Sequence, residues 1–295
     1  MNKINELMPG FCCDHNTLRY QSDELLTTLF NYFAAHIDSR IRDDLVSDLM
    51  SKYVEVSKML EETNVRLKQY NERLEELVQE KVMDITAAQT AVIHALVKLS
   101  ESRDDDTGAH IERTSGYCRL LAERIKTTDR YAGCVDDSYA EEIEKASPLH
   151  DIGKVGIADA ILLKPAKLTG DEFELMKTHV MNGYDTLASV EKSYPGNKFL
   201  KMGMDISKYH HEKWDGSGYM YGLAGEDIPL SARVMALSDV YDALRSKRVY
   251  KEAFSHEKAI DLIARGRGTH FDPVLTDIFL SGHSGFREVF DRLSA

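Results

Sequence analysis

Of eleven histidines in this chain, His110, His150, His179, His210 and His211 stand where they could hold a metal ion. His150 is followed directly by Asp151, His210 and His211 are adjacent, and His179 follows a capped helix start. Imidazole and carboxylate donors without a thiolate suit iron, manganese, nickel or catalytic zinc. A carboxylate can also bridge two ions, which an imidazole does not readily do. Asp106 and His110 are four residues apart, so on a helix they would share a face. Spacing alone leaves two readings open, a di-metal centre or scattered structural histidines. His94, His256, His270 and His283 fall outside the pattern and read as structural or exposed.

The elements that must position these groups read as all-α. Long stretches carry helical spacing of apolar residues, and alternating β-branched runs are few. Residues 22–46 form one or two amphipathic helices. Leu49, Tyr53, Val56, Leu60, Thr63, Leu67, Tyr70, Leu74 and Leu77 then alternate steps of four and three, a coiled-coil seam over residues 49–77. No Gly or Pro falls between Gly10 and Gly108. A helix over the seam would measure on the order of 40 Å, and its pattern fits a parallel homodimer or a helix packed antiparallel within its own chain. After Leu77 the apolar phase shifts, as a stutter would do. Residues 1–85 therefore read as a helical region for dimerisation and signal transmission, and residues 86–295 as a helical domain with loops. Within it, Thr169-Gly170-Asp171-Glu172 is a capping box that starts a helix running through His179 towards Val190. Pro148 begins or kinks the helix bearing His150, and Asp272-Pro273 opens another.

Composition narrows the function further. With 37 basic and 49 acidic residues the net charge is −12, which disfavours polymeric nucleic acid as a partner. No stretch approaches roughly 18 consecutive apolar residues, so no membrane-spanning helix is expected, and no secretory leader is visible. Cys12, Cys13, Cys118 and Cys134 make neither a disulfide framework nor a zinc-finger spacing, so the chain reads as a cytoplasmic protein with reduced thiols.

His150-Asp151-Ile152-Gly153-Lys154 and the run His210-His211-Glu212-Lys213-Trp214-Asp215-Gly216-Ser217-Gly218-Tyr219 resemble the two signatures of the HD-GYP family. That family is a branch of the HD-domain metal phosphohydrolases that hydrolyses cyclic di-GMP. The resemblance covers residues 88–280 and includes Glu101-Ser102-Arg103-Asp104 and Asp239-Val240-Tyr241-Asp242. It implies a metal-dependent phosphodiesterase giving pGpG, and in a second round GMP. The implied metal ligands are His110, His150, Asp151, His179, His210, His211 and Asp239, with Asp151 bridging. Asp106 stands where some members have a Glu completing a third metal site. Asp is shorter by one methylene, so two divalent ions, Fe or Mn, are the expectation. The resemblance also makes Lys154, Arg248 and Lys251 contacts to the substrate phosphates, and places Gly218 and Tyr219 in the substrate loop.

Two departures from the family pattern matter. Met220 replaces the Pro of the second signature, and Val249 stands where Pro is usual before Tyr250. Losing Pro relaxes φ, so the expectation is a looser substrate loop. The same loop could alter a surface that in the family contacts diguanylate cyclase domains. Trp214 and Tyr219 could stack on a guanine, or Trp214 could anchor the loop. Other readings are a weak or silent signalling scaffold, and a phosphodiesterase for another cyclic dinucleotide such as cyclic GMP-AMP.

Overall fold

The helical periodicity carries through into the structure, a computed structural model that describes residues 24–32, 35, 39–101, 109–131, 133–247 and 252–294. Asp106, Arg248, Val249, Lys251 and the Cys12-Cys13 pair lie outside the described residues. Among the described residues there are helices and no strands; the one isolated bridge pairs Arg267 with Phe271. The chain divides into two compact units, Met1–Asp84 and Ile85–Ala295.

In the first unit the dominant element is the leading part of α1 (Ser39–Glu101), preceded by a helical stretch at residues 24–32. Good helix formers and the absence of Gly and Pro let α1 run for 63 residues. Intrahelical ion pairs such as Asp48–Lys52 and Arg73–Glu76 line its flanks. Their exposure keeps the contribution of each small. Leu49, Val56, Leu60, Leu67, Tyr70, Leu74 and Leu77 of the seam are all exposed. One eighteen-residue window of this helix reaches a mean hydropathy of 1.3. Although no uninterrupted apolar run exists, the helix is thus long and apolar enough to cross a membrane by length and composition alone. Val, Ile, Leu and Ala raise the mean, and the polar residues between them keep the run from being continuous.

The second unit holds α2 (Ala109–Ile125), α3 (Asp137–Ala146), a 3₁₀ segment (Ser147–Gly156) and the short α4 (Asp159–Leu162). These are followed by α5 (Gly170–Lys177), α6 (His179–Glu191), α7 (Lys198–Tyr209), α8 (Leu230–Arg245), α9 (His256–Arg265) and α10 (Pro273–Leu293). Their apolar faces meet in a core built on Tyr117, Leu121, Ile143, Ile206, Leu237, Tyr241, Ile263, Phe279 and Phe286. A smaller cluster joins Val97 near the end of α1 to Ile111, Leu149, Leu187 and Leu200.

Helix starts follow side-chain caps. The capping box at α5 is present: Thr169 Oγ1 accepts the Glu172 N–H, and the Glu172 carboxylate accepts the Thr169 N–H. Asp272 caps α10 with Pro273 in its first turn, and its other oxygen accepts from Arg233. Two details differ from the periodicity. The helix begun at Thr169 stops at Lys177, and a new one starts at His179. At the break the Thr178 N–H donates to the Leu175 carbonyl at 3.1 Å, and His179 Nδ1 donates to the Met176 carbonyl at 2.8 Å. The segment after Pro148 is 3₁₀ instead of α-helical. It lies close against α6, where a Cβ at Gly153 would overlap the His179 carbonyl oxygen and the Gly183 amide.

Gly153→Ala is expected to push this segment off α6 and destabilise the fold by about 1–3 kcal/mol. Denaturant unfolding of the metal-free protein measures it, and an unchanged midpoint contradicts the close approach.

Candidate metal centre

Helix ends bring the predicted ligands together. His150 lies in the 3₁₀ segment, His179 opens α6, His210 is the C-cap of α7, and His110 stands in the first turn of α2. Backbone carbonyls one turn back along the chain fix the rings. His150 Nδ1 donates to Ser147 O at 2.9 Å, and His210 Nδ1 to Ile206 O at 3.0 Å. With His179 held by Met176 O, three rings have Nδ1 occupied and Nε2 turned inward.

His110 is oriented by a carboxylate. Its Nδ1 donates to Asp242 Oδ2 at 2.8 Å, while Arg113 grips the same carboxylate at 2.6 and 2.9 Å. Burial alone would raise the Asp242 pKa, but the Arg113 and His110 hydrogen bonds overcome it and hold the carboxyl at about 2. Asp242 and Arg113 were missed as functional residues. Asp242 falls within the quoted motif, yet nothing in the spacing reveals a partner 132 positions away.

The inward-facing atoms form two groups. Asp151, His179, His210 and His211 each offer a donor within 4.8 Å of the others, and so do His110, His150 and Asp239. Asp151 reaches both groups: Oδ1 lies 3.2 Å from His179 Nε2 and 3.7 Å from His210 Nε2, and Oδ2 lies 3.3 Å from His150 Nε2. The Nε2 atoms of His150, His179 and His210 and Oδ1 of Asp151 are buried without a hydrogen-bond partner. Orphaned buried polar atoms are costly, and four converging on one space fit divalent cations. Their nitrogen and oxygen chemistry agrees with that fit.

The charges respond accordingly. Burial opposes protonation of His150, but the Asp151 carboxylate outweighs it and pushes the imidazole up to about 9. Burial would raise Asp151, yet Lys154 and His150 hold it well below the usual carboxylate range. His211 is driven well below the ordinary imidazole value by burial and by His210, which keeps it neutral as a ligand must be. Lys154 Nζ lies 2.9 Å from Asp151 Oδ2 at the edge of the site.

The loop after His211 borders the centre. Tyr219 stacks on the His211 ring with centroids 4.7 Å apart. The space where Gly218 would carry a side chain is filled by the Glu212 and Lys213 backbone, so loop closure itself demands glycine there. In place of the missing Pro, hydrogen bonds tie the loop. Buried Glu212 accepts the Tyr221 and Leu223 amides at 2.7 and 3.1 Å, and the Trp214 and Asp215 amides donate to His270 and Thr269 carbonyls. Trp214 lies against the Arg233 guanidinium, 5.8 Å from ring centroid to Cζ, in the position of a loop anchor. Glu212 is a second residue that sequence reasoning passed over.

An HD domain family model matches residues 55–275. The chain is 48% identical over 225 residues to the probable cyclic di-GMP phosphodiesterase of Vibrio cholerae serotype O1, covering 76% of this chain and 51% of that protein. It is 37% identical over 235 residues to the cyclic di-GMP phosphodiesterase response regulator RpfG of Xanthomonas campestris pv. campestris, covering 80% and 59%. Identity to the 3'3'-cGAMP-specific phosphodiesterase 2 of V. cholerae is 37% over 199 residues, covering 68% and 36%. The chain thus spans about half the length of the first two and less of the third.

Two outcomes follow from the electrostatics. Because the folded pKa of Asp242 lies below its ordinary 3.8, its contribution of about 2 kcal/mol is complete above that value and lost as pH falls towards 2. Asp242→Asn should therefore flatten the acid loss of stability between pH 5 and 2 and weaken metal binding about 10- to 100-fold; an unaltered pH profile would refute the pairing. Since His150 is protonated at pH 7 in the metal-free site, loading the centre should release about one proton. Calorimetry in buffers of different ionisation enthalpy reads that release, and none at all would contradict the charge assignment.

Proposed function

This chain belongs to the HD domain family, in its HD-GYP branch, and on that premise we propose that it is a metal-dependent phosphodiesterase that hydrolyses cyclic di-GMP to pGpG and then to GMP. The observation that carries the reading is the convergence of buried, partnerless Nε2 and carboxylate atoms on one space bordered by a lysine. Asp151, His179, His210 and His211 would hold one divalent ion, and His110, His150 and Asp239 the other, with Asp151 shared. Iron or manganese bound there would supply neutralisation of charge at phosphorus and a water-derived nucleophile at neutral pH.

The chain's own groups do the rest. Backbone carbonyls and Asp242 keep the imidazoles turned inward. Lys154 offers an ammonium to a phosphoryl oxygen, where charge grows in the transition state. Arg248 and Lys251 would add phosphate contacts, and Asp106 would bear on a third ion; these three assignments rest on the resemblance. Gly218 shapes the loop and Tyr219 walls the site beside His211. Cleavage breaks the P–O3′ bond, leaving a 5′-phosphate and a 3′-hydroxyl. Local cations also offset the long-range repulsion between a −12 chain and an anionic substrate.

Exposed seam residues on α1 support a homodimer through that helix, whose apolar stripe would be covered by its copy. Met220 and Tyr221, 44% and 42% exposed, are where a diguanylate cyclase domain would meet the loop. The free thiols of buried Cys118 and exposed Cys134 fit a cytoplasmic setting. A second substrate reading, 3'3'-cGAMP, is favoured by the 37% identity to a phosphodiesterase named for it.

Purification without oxygen, followed by turnover of cyclic di-GMP with Fe²⁺, Mn²⁺ or no metal, tests the activity. Metal-dependent pGpG or GMP is the expected product, and the His150→Ala, Asp151→Ala double variant should be inactive. A metal-loaded protein that turns over neither cyclic dinucleotide is a signalling scaffold instead. Leu60→Glu with Leu67→Glu should halve the mass seen in sedimentation, whereas a monomeric parent would remove the dimer.

A further inference from the structure

Beside the metal centre the sequence leaves a ladder of rings and charges that the proposed chemistry does not use. Tyr219 stacks on His211, and Phe173 of α5 meets Tyr219 edge-on with centroids 6.0 Å apart. Phe173 is 45% exposed. Burial of apolar surface does not account for it, and a lone exposed ring would need no explanation. This one is not alone. Lys177, one turn further on, sets its Nζ 5.4 Å from the Phe173 centroid and 5.7 Å from that of Tyr219. Its ammonium also pairs with Glu174 at 2.5 Å, with the lysine side chain 17% and the glutamate 69% exposed. The ledge is fixed in place: α5 starts at a complete capping box, Lys164 holds Glu172 at 2.7 Å, and the helix ends at Lys177, two residues before His179.

Resting on the reading of the substrate as a cyclic dinucleotide, we propose that the exposed ring of Phe173, backed by Tyr219, takes one purine of the substrate by its face, and that Lys177 and Glu174 recognise guanine at its edge. Aromatic rings take a base by its face whatever its identity, worth about 1–3 kcal/mol per base. The edge supplies identity. Guanine sets an acceptor, O6, beside a donor, N1–H. Lysine can only donate and an ionised glutamate only accept, so the adjacent ammonium and carboxylate match that order. Adenine reverses it, with a donor at N6 beside an acceptor at N1, and would leave both charged groups facing their like. The residues are thus specificity-determining ones. They stand outside the metal ligands, on a helix whose capping box already fixes its register.

The test uses the full-length, metal-loaded protein with cyclic di-GMP and 3'3'-cyclic di-AMP. Phe173→Ala should raise KM for both by about tenfold with kcat little changed, the size of a lost stack. Lys177→Met and Glu174→Gln should each lower the ratio of kcat/KM for cyclic di-GMP over cyclic di-AMP by about tenfold or more. A general structural loss would reduce both substrates and the bound metal together and leave that ratio alone. An unchanged ratio in both charge variants, or unchanged KM values in Phe173→Ala, overturns the proposal while the hydrolase reading stands. Should the parent turn over neither compound, equilibrium binding is compared in the same variants. Binding with the same loss of guanine preference would then keep the recognition and remove the hydrolase; binding of neither removes both.

Discussion

The centre depends above all on one kind of bond: an imidazole Nδ1–H donating to a backbone carbonyl one turn back along its own chain. Three of the ring orientations are set this way, by Ser147, Met176 and Ile206, each carbonyl three or four residues before its histidine. The carbonyl takes the Nδ1–H, which leaves Nε2 facing inward as the atom that a metal would take. His110, His179 and His210 stand at helix ends, His150 lies within the 3₁₀ segment and Asp239 within α8.

The remaining architecture serves to bring those boundaries into one place. Gly153 lets the 3₁₀ segment touch α6, carrying Asp151 between the two groups of ligands. The fourth orienting bond is long-range: Asp242 on α8 holds His110 on α2 and is itself held by Arg113. This triad couples the packing of two core helices to the aim of one ligand. Glu212 performs a comparable service for the loop, gathering the Tyr221 and Leu223 amides just after Met220, where the family pattern has a proline. Constraint by hydrogen bonding thereby stands in for constraint by a ring, and the loop is more tied than its composition implied.

How much of this was legible in the sequence depends on range. The all-α character, the capping box at Thr169 and the Asp272-Pro273 start are encoded within a few residues, and they appear in the structure where the sequence places them. The histidines and aspartates could be picked out by type and neighbour, though spacing alone left a metal centre and scattered histidines equally open. Illegible were the break at Thr178 and the roles of Asp242, Arg113 and Glu212, which depend on partners brought together only by folding. Phe173 and Lys177 were illegible for a further reason. On α5 they read as an ordinary solvated helix face, and only their approach to Tyr219 gives them a context.

The central claim is that the inward-facing Nε2 atoms and a shared Asp151 carboxylate define a two-ion centre. Anomalous diffraction from crystals of the Mn²⁺-loaded protein tests it most directly. The account predicts two peaks about 3.5–4 Å apart, flanking Asp151, with His179, His210 and His211 around one and His110, His150 and Asp239 around the other. A single peak that leaves Asp151 unshared, or ions bound away from these atoms, would contradict it.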